Sequence, residues 1–262
     1  MVKLIAVDMD GTFLNDNKQK SPEYGKVIDF LRRNNIYFCV ASGRQLASLK
    51  KEMHDYQDHV IFVAENGTVV EMDEEIIMVE ELSRDITHSV IDKVNGMNNK
   101  KLVYCAKDCS YIDLKDEQDK KNAEQYLPSY KIVDNFYNLD DLPVKISIYS
   151  KTGYDSDFDN IVNTFGDIAT VCTSGFEWLD VIPKRSSKGN AIKKIQKILG
   201  ISKKETMAFG DQMNDFEMLS EAYYSYAMDN AVEKIKQISR FSAPSNNEFG
   251  VIQILKKHFN ID

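Results

Sequence analysis

The sequence predicts a parallel α/β sheet covered by helices on both faces, with a second α/β module inserted into it. Three observations predict this. Unbroken apolar runs such as Leu4–Val7, Phe38–Ala41 and Ile61–Ala64 have the composition of strands buried on both faces. Amphipathic stretches of ten or more residues alternate with them, as βαβ units require. The chain's 262 residues exceed the common domain size of about 100–150 residues, and its middle third changes character.

Taken in order, the N-terminal part predicts strands at Lys3–Val7, Tyr37–Ala41, Val60–Ala64 and Thr68–Val70, with helices at Pro22–Asn34 and Gln45–Met53. The pair Ser21-Pro22 marks the start of the first helix, and Val27, Ile28 and Leu31 give it an apolar stripe. The middle third predicts helices at Ser83–Met97, Asp116–Tyr126 and Tyr154–Thr164. Its strands are Lys101–Cys105, Tyr111–Leu114, Val144–Tyr149, Asp167–Cys172 and Trp178–Ile182. These strands are more polar, the helices carry Lys-Asp-Glu runs, and Pro128 and Pro143 interrupt the segment. The C-terminal part returns to the first style, with strands at Thr206–Phe209 and Tyr224–Ala227. Its helices fall at Gly189–Leu199, Met213–Glu221, Ala231–Ile238 and Gly250–His258. The implied division is a core of residues 1–82 and 184–262 interrupted by a module of residues 83–183.

Composition limits the function. The chain is 43% apolar and carries a formal charge of −8, which suits a packed globular protein and disfavours a binder of nucleic-acid backbones. A small anionic substrate needs only a local site, so the charge does not exclude one. No apolar run approaches the roughly 18–20 residues of a membrane span, and the acids at Asp8 and Asp10 interrupt any secretory h-region. Four scattered cysteines give no disulfide framework, and the four histidines lack ligand spacing. The expectation is a cytoplasmic protein with no membrane and no nucleic-acid partner.

The sharpest chemical signal is Asp8-Met9-Asp10-Gly11-Thr12, directly after the first strand. In an extended chain residues i and i+2 point the same way, so both carboxylates are expected at the strand's carboxyl end, where open α/β sheets bind ligands. Two acids sharing one spot repel each other and call for a divalent cation. The plainer alternative is an Asp-Gly turn with solvated acids. Three further segments favour the functional reading. Ala41-Ser42-Gly43-Arg44 places a hydroxyl and backbone N–H groups at a helix start, which suits an oxyanion and equally an ordinary N-cap. Lys188 opens another helix, where a cation opposes the macrodipole unless an anion binds. Gly210-Asp211-Gln212-Met213-Asn214-Asp215 again sets acids at a strand end.

The order of these segments resembles the haloacid dehalogenase-like superfamily: Asp-x-Asp-Gly-Thr, a Ser after the second strand, a Lys, then Gly-Asp-x-x-Asn-Asp. The closest form is its Cof-type (IIB) phosphatase branch, in which a large α/β cap is inserted into a Rossmann-like core, and Glu65-Asn66-Gly67 is similar to that branch as well. The resemblance implies that Asp8 is the nucleophile, forming an aspartyl-phosphate, and Asp10 the general acid and base. It implies Mg²⁺ held by carboxylate oxygens of Asp8 and Asp211 and by the backbone carbonyl of Asp10. It gives Ser42, the Gly43 N–H, Lys188 and Asn214 to the phosphate, with Asp215 orienting Lys188 or a metal-bound water. The implied activity is Mg²⁺-dependent hydrolysis of a small phosphate ester such as a sugar phosphate. A phosphomutase and a non-catalytic phospho-metabolite-binding relative are the alternatives. The first is disfavoured because residues 83–183 contain only one arginine, Arg84, and the second because all four motifs are intact. Lys184 and Arg185, just before the third motif, depart from the family pattern and are expected to be solvated.

Overall fold

A computed structural model of the protein describes residues 1–113, 127, 129–173 and 177–262. The expected helix at Asp116–Tyr126 lies outside the described residues. The N-terminal part folds into β1 (Leu4–Asp8), α1 (Tyr24–Arg33), β2 (Tyr37–Ala41), α2 (Leu46–Glu52), β3 (Val60–Ala64), β4 (Val69–Met72) and β5 (Glu75–Val79). Next come α3 (Arg84–Asn95), β6 (Lys100–Ala106), β7 (Ser110–Ile112), β8 (Tyr130–Ile132), β9 (Pro143–Ser150), α4 (Ser156–Phe165), β10 (Ala169–Thr173) and β11 (Trp178–Pro183). The chain finishes with α5 (Lys188–Leu199), β12 (Thr206–Gly210), α6 (Phe216–Ser220), β13 (Tyr224–Met228), α7 (Glu233–Ile238), β14 (Phe241–Ala243) and α8 (Gly250–Phe259).

The first sheet has the order β14-β13-β12-β1-β2-β3-β4-β5. From β14 to β3 its neighbours run parallel. β1 is central and wholly buried, as its apolar run requires. The chain winds outward from β1 in one direction through β2 and β3, and in the other through β12, β13 and β14. The strand order therefore reverses at β1 and β12, and their carboxyl ends form the switch point at which such sheets bind ligands.

The sheet is not parallel throughout. β3, β4 and β5 form an antiparallel meander, turned at Asp73-Glu74 with φ of 52° and 63°, the backbone a tight hairpin favours. β5 was not among the expected strands; its apolar run Ile76–Val79 follows an acidic turn and shows no alternation of buried and exposed residues. β8 and β14 were also unexpected; each is a three-residue edge strand.

The second sheet, β10-β11-β9-β6-β7-β8, is antiparallel except for the β7–β8 pair. Its period of two divides its side chains, except at a register shift where Val144 is an extra residue of β9. Tyr104, Ile146, Ile148, Leu179 and Val181 pack with Val90 and Ile91 of α3 and Phe158 of α4. Val103, Cys105, Ile112 and Val144 face the other way and join the core of the first sheet. Residues of the second sheet thus close over the carboxyl end of the first.

Gly67, in the turn after β3, has φ +96°, and a Cβ there would lie 2.2 Å from the Ser187 carbonyl oxygen. Ser187 caps α5 by accepting the Asn190 N–H, so Gly67 sets how closely that helix approaches. Gly67→Ala is expected to destabilise the fold by at least about 2 kcal/mol, from left-handed strain and displacement of α5. Urea denaturation measures this, and an unchanged midpoint contradicts it.

Candidate active site

Parallel pairing aligns Asp8 at the end of β1 with Ala41 at the end of β2, and Val7 with Phe209 of β12. Three loops and the start of α5 consequently meet at one point. Lys188, the first residue of α5, is 1% exposed, and its ammonium donates to Asp8 Oδ1 at 2.5 Å and Asp215 Oδ1 at 2.7 Å. The other Asp215 oxygen accepts the backbone N–H groups of Asp211 (2.9 Å) and Gln212 (3.0 Å). Asp211 Oδ1 accepts the Thr12 hydroxyl at 2.9 Å. Gly11, with φ +78°, brings the turn so close that a Cβ would sit 2.5 Å from Asp211 Oδ2.

Asp8, Asp211 and Asp215 therefore form a buried cluster, each offering an oxygen within 4.8 Å of the others. Burial pushes the Asp8 carboxyl well above its ordinary value, with Asp215 and Asp211 adding to the effect against the pull of Lys188. Burial and the neighbouring Asp215 push Asp211 up to about 6. Burial alone would lower Lys188, but Asp215 and Asp8 outweigh it and hold the ammonium charged. Three carboxylates against one ammonium leave an excess of negative charge on an oxygen-only donor set. That chemistry fits a hard divalent cation such as Mg²⁺.

Asp10 does not join this cluster. β1 ends at Asp8, so the alternation that would aim both carboxylates at one spot stops there. The Asp10 side chain instead takes a two-pronged contact from Arg44, with Nε to Oδ2 and Nη2 to Oδ1 both at 2.6 Å. It also accepts from Lys18 at 2.7 Å. Partial burial would raise this carboxyl, but the hydrogen bonds and charge of Arg44, with Lys18, outweigh it and hold it below its ordinary value.

Ser42 is buried, and its hydroxyl accepts the Arg44 N–H at 3.2 Å. Gly43 lies against Asn66, whose Oδ1 would be 3.1 Å from a Cβ at that position. The same Asn66 oxygen accepts Asn214 Nδ2 at 3.1 Å. Asn66 thus brings Asn214 to the Ser42–Gly43 turn, while Lys188 ties Asp8 to Asp215. Lys184 and Arg185 are exposed, and Lys184 donates to the Gly166 carbonyl. Sequence reasoning assigned no role to Arg44, Lys18, Thr12, Lys145 or Asp180. For the last two a signal existed: each is the one charged residue of its strand.

The chain belongs to the haloacid dehalogenase-like hydrolases, whose family profile matches residues 5–255. Within that family it is of the Cof-type branch and is a phosphoric monoester hydrolase. It is 33% identical over 259 residues to the Escherichia coli 5-amino-6-(5-phospho-D-ribitylamino)uracil phosphatase YbjI, covering 98% of this chain and 96% of that one. The Bacillus subtilis phosphatase YitU, which carries the same substrate in its name, is 25% identical over 267 residues, with 98% of each chain covered. Among solved structures, SMU.1108c of Streptococcus mutans superposes with a TM-score of 0.92 at 28% identity, covering 99% of this chain and 100% of that one. TM0651 of Thermotoga maritima gives 0.85 at 28% identity, covering 98% and 97%. No described helix is long and apolar enough to cross a membrane.

Lys188→Met leaves the buried acids without their cation. In metal-free buffer at pH 7 this is expected to cost about 3–5 kcal/mol of stability, measured by urea denaturation. The sign of the pH dependence follows from the raised carboxyls. An acid whose folded pKa exceeds its unfolded value destabilises the fold once pH rises past the unfolded value, and the penalty is full above the folded one. For Asp211 that window runs from its ordinary value to about 6, and removing Lys188 deepens it. The deficit of the variant relative to wild type should therefore shrink as pH is lowered from 7 to 5. A constant deficit contradicts this electrostatic account.

Proposed function

We propose that the protein is a Mg²⁺-dependent phosphatase of small phosphorylated metabolites, preferring sugar- or alditol-type phosphates, and that it works through an aspartyl-phosphate on Asp8. The observation that carries this reading is the buried Asp8 carboxylate, 2.5 Å from the Lys188 ammonium and clustered with Asp211 and Asp215 at the sheet's switch point. YbjI and YitU are named for a substrate that bears its phosphate on a ribityl chain, and a 26% identical relative from Cronobacter sakazakii is named HMP-PP phosphatase. Those names support the substrate class. Residues 83–183 are read as the cap that closes over the substrate and excludes bulk water.

Asp8, Asp211 and the Asp10 carbonyl would hold Mg²⁺, which supplies positive charge against the acids and the incoming phosphoryl oxygens. Lys188, the Ser42 hydroxyl, the Gly43 N–H and Asn214 hold those oxygens as charge develops in flight. Asp8 attacks phosphorus in line, forming the Asp8–phosphorus bond as the ester oxygen leaves, and that oxygen takes its proton from Asp10. Water then attacks phosphorus and gives a proton back to Asp10, while the Asp8–phosphorus bond breaks to release orthophosphate. Asp215, hydrogen-bonded by Lys188 and two backbone N–H groups, keeps the ammonium aimed. Held by Arg44, Asp10 is a carboxylate, the form needed for the second step. Protonation for the first step requires it to leave that contact.

A mutase reading finds no support, because Arg84, the one arginine of residues 83–183, is bound to the carbonyls of Leu139 and Asp140. Asp8→Asn is expected to fold normally and to lose at least ~10⁴-fold in kcat in a Mg²⁺-supplemented phosphate-release assay over a panel of sugar, alditol and nucleoside phosphates. Retained Mg²⁺-dependent hydrolysis by the pure variant contradicts the assignment. A kcat/KM ranking led by nucleotides contradicts the substrate preference.

A further inference from the structure

The mechanism leaves a buried charged group unused. Lys145 stands on β9 in the second sheet and is 6% exposed. Its ammonium crosses to the first sheet's loops, donating to the Gly43 carbonyl at 2.7 Å and pairing with Glu65 at 2.6 Å. Asp180 on β11, 1% exposed, lies 3.5 Å from the same ammonium. It accepts the Ser147 hydroxyl at 2.6 Å and the Asn66 amide at 2.7 Å. Asn66 continues the chain of contacts, accepting from Asn214 at 3.1 Å and donating its backbone N–H to the Ser42 carbonyl at 2.9 Å.

Two carboxylates and an ammonium taken out of water cost several kcal/mol of desolvation, and well-packed apolar residues often serve stability as well or better. Stability is thus a weak reason for this cluster, and its geometry supplies a better one. Ser42, Gly43 and Asn214, the groups read above as the phosphate seat, are each tied to the second sheet by this one network. Fixing the Gly43 carbonyl fixes the turn that carries the neighbouring N–H groups, and fixing Asn66 fixes Asn214. Burial raises Glu65 despite the pull of Lys145, and the two acids hold Lys145 charged against its own burial.

We propose that Lys145 and Asp180 are positioning residues that complete the phosphate seat from the inserted module, so that affinity for the phosphoryl group depends on the seating of that module. The inference rests on the phosphatase reading and adds to it two residues that touch no reacting atom.

Calorimetric titration of orthophosphate into the full-length, Mg²⁺-supplemented protein tests it. Lys145→Met is expected to weaken orthophosphate by about tenfold or more, and Lys145→Arg to recover part of the loss. Asn66→Gly removes the bridge between Asp180 and Asn214 without straining the backbone, since Asn66 already sits at φ 59°, and it is expected to do the same. If Lys145→Met does not fold, Asn66→Gly carries the test. In both variants the rise in melting temperature on adding Mg²⁺ should match wild type, which separates a damaged phosphate seat from a damaged acid cluster. Orthophosphate affinity within about twofold of wild type in the folded variants, with only the melting temperature lowered, overturns the proposal. Wild-type protein that neither binds orthophosphate nor hydrolyses phosphate esters overturns the phosphatase reading, and this inference with it.

Discussion

The buried ammonium of Lys188, held between Asp8 and Asp215, is the contact on which the rest of the site depends. An unpaired ammonium at this depth is too costly to keep, and so is each carboxylate around it. The fold must therefore deliver β1, β12 and the start of α5 to the same point together. The parallel register aligns β1 with β12, and Gly67 lets the turn after β3 press against the backbone that precedes Lys188. A glycine is equally required at position 210, where a Cβ would fall 2.5 Å from the Asp215 side chain. These glycines are consequences of the ion cluster before they are features of a turn.

The charge balance explains why the site invites both a cation and an anion. One lysine among three acids leaves negative charge that a divalent ion would neutralise, and on the proposed reading that ion and Lys188 would together face the phosphate. Asp10 is kept apart from this balance by Arg44 and Lys18. Of the two motif acids, one is buried with a raised carboxyl and the other is ion-paired with a lowered one. Such divergence is the usual mark of two carboxylates with different tasks. The chain's overall charge of −8 has no bearing on this local arrangement.

Much of the fold was legible because buried parallel strands are nearly pure apolar runs. The expected Tyr37–Ala41 and Val60–Ala64 coincide with β2 and β3. The strands that escaped notice are those outside the buried parallel region: β5 is a short, half-exposed hairpin arm, and β8 and β14 are three-residue edges. In the site, the motifs pointed to the region of Asp8, Asp211 and Lys188, because each stands at a strand or helix end. The direction of the Asp10 side chain was not legible, since it depends on the strand stopping at Asp8 and on an arginine 34 residues away. Lys145 and Asp180 stood out as the lone charges of their strands, but the groups they hold across the fold were not legible. Gly43, Glu65 and Asn66 lie in loops of the first sheet, and only packing of the two sheets brings them to Lys145 and Asp180.

The central claim is that the Lys188-paired carboxylate of Asp8 becomes covalently phosphorylated. Borohydride trapping during turnover tests it most directly: an acyl phosphate is reduced to an alcohol, converting aspartate to homoserine, and peptide mass spectrometry locates the change. With Mg²⁺ and a sugar phosphate present, the account predicts homoserine at position 8 and none when substrate is omitted. Steady hydrolysis with position 8 unmodified, or reduction at another carboxylate, contradicts it.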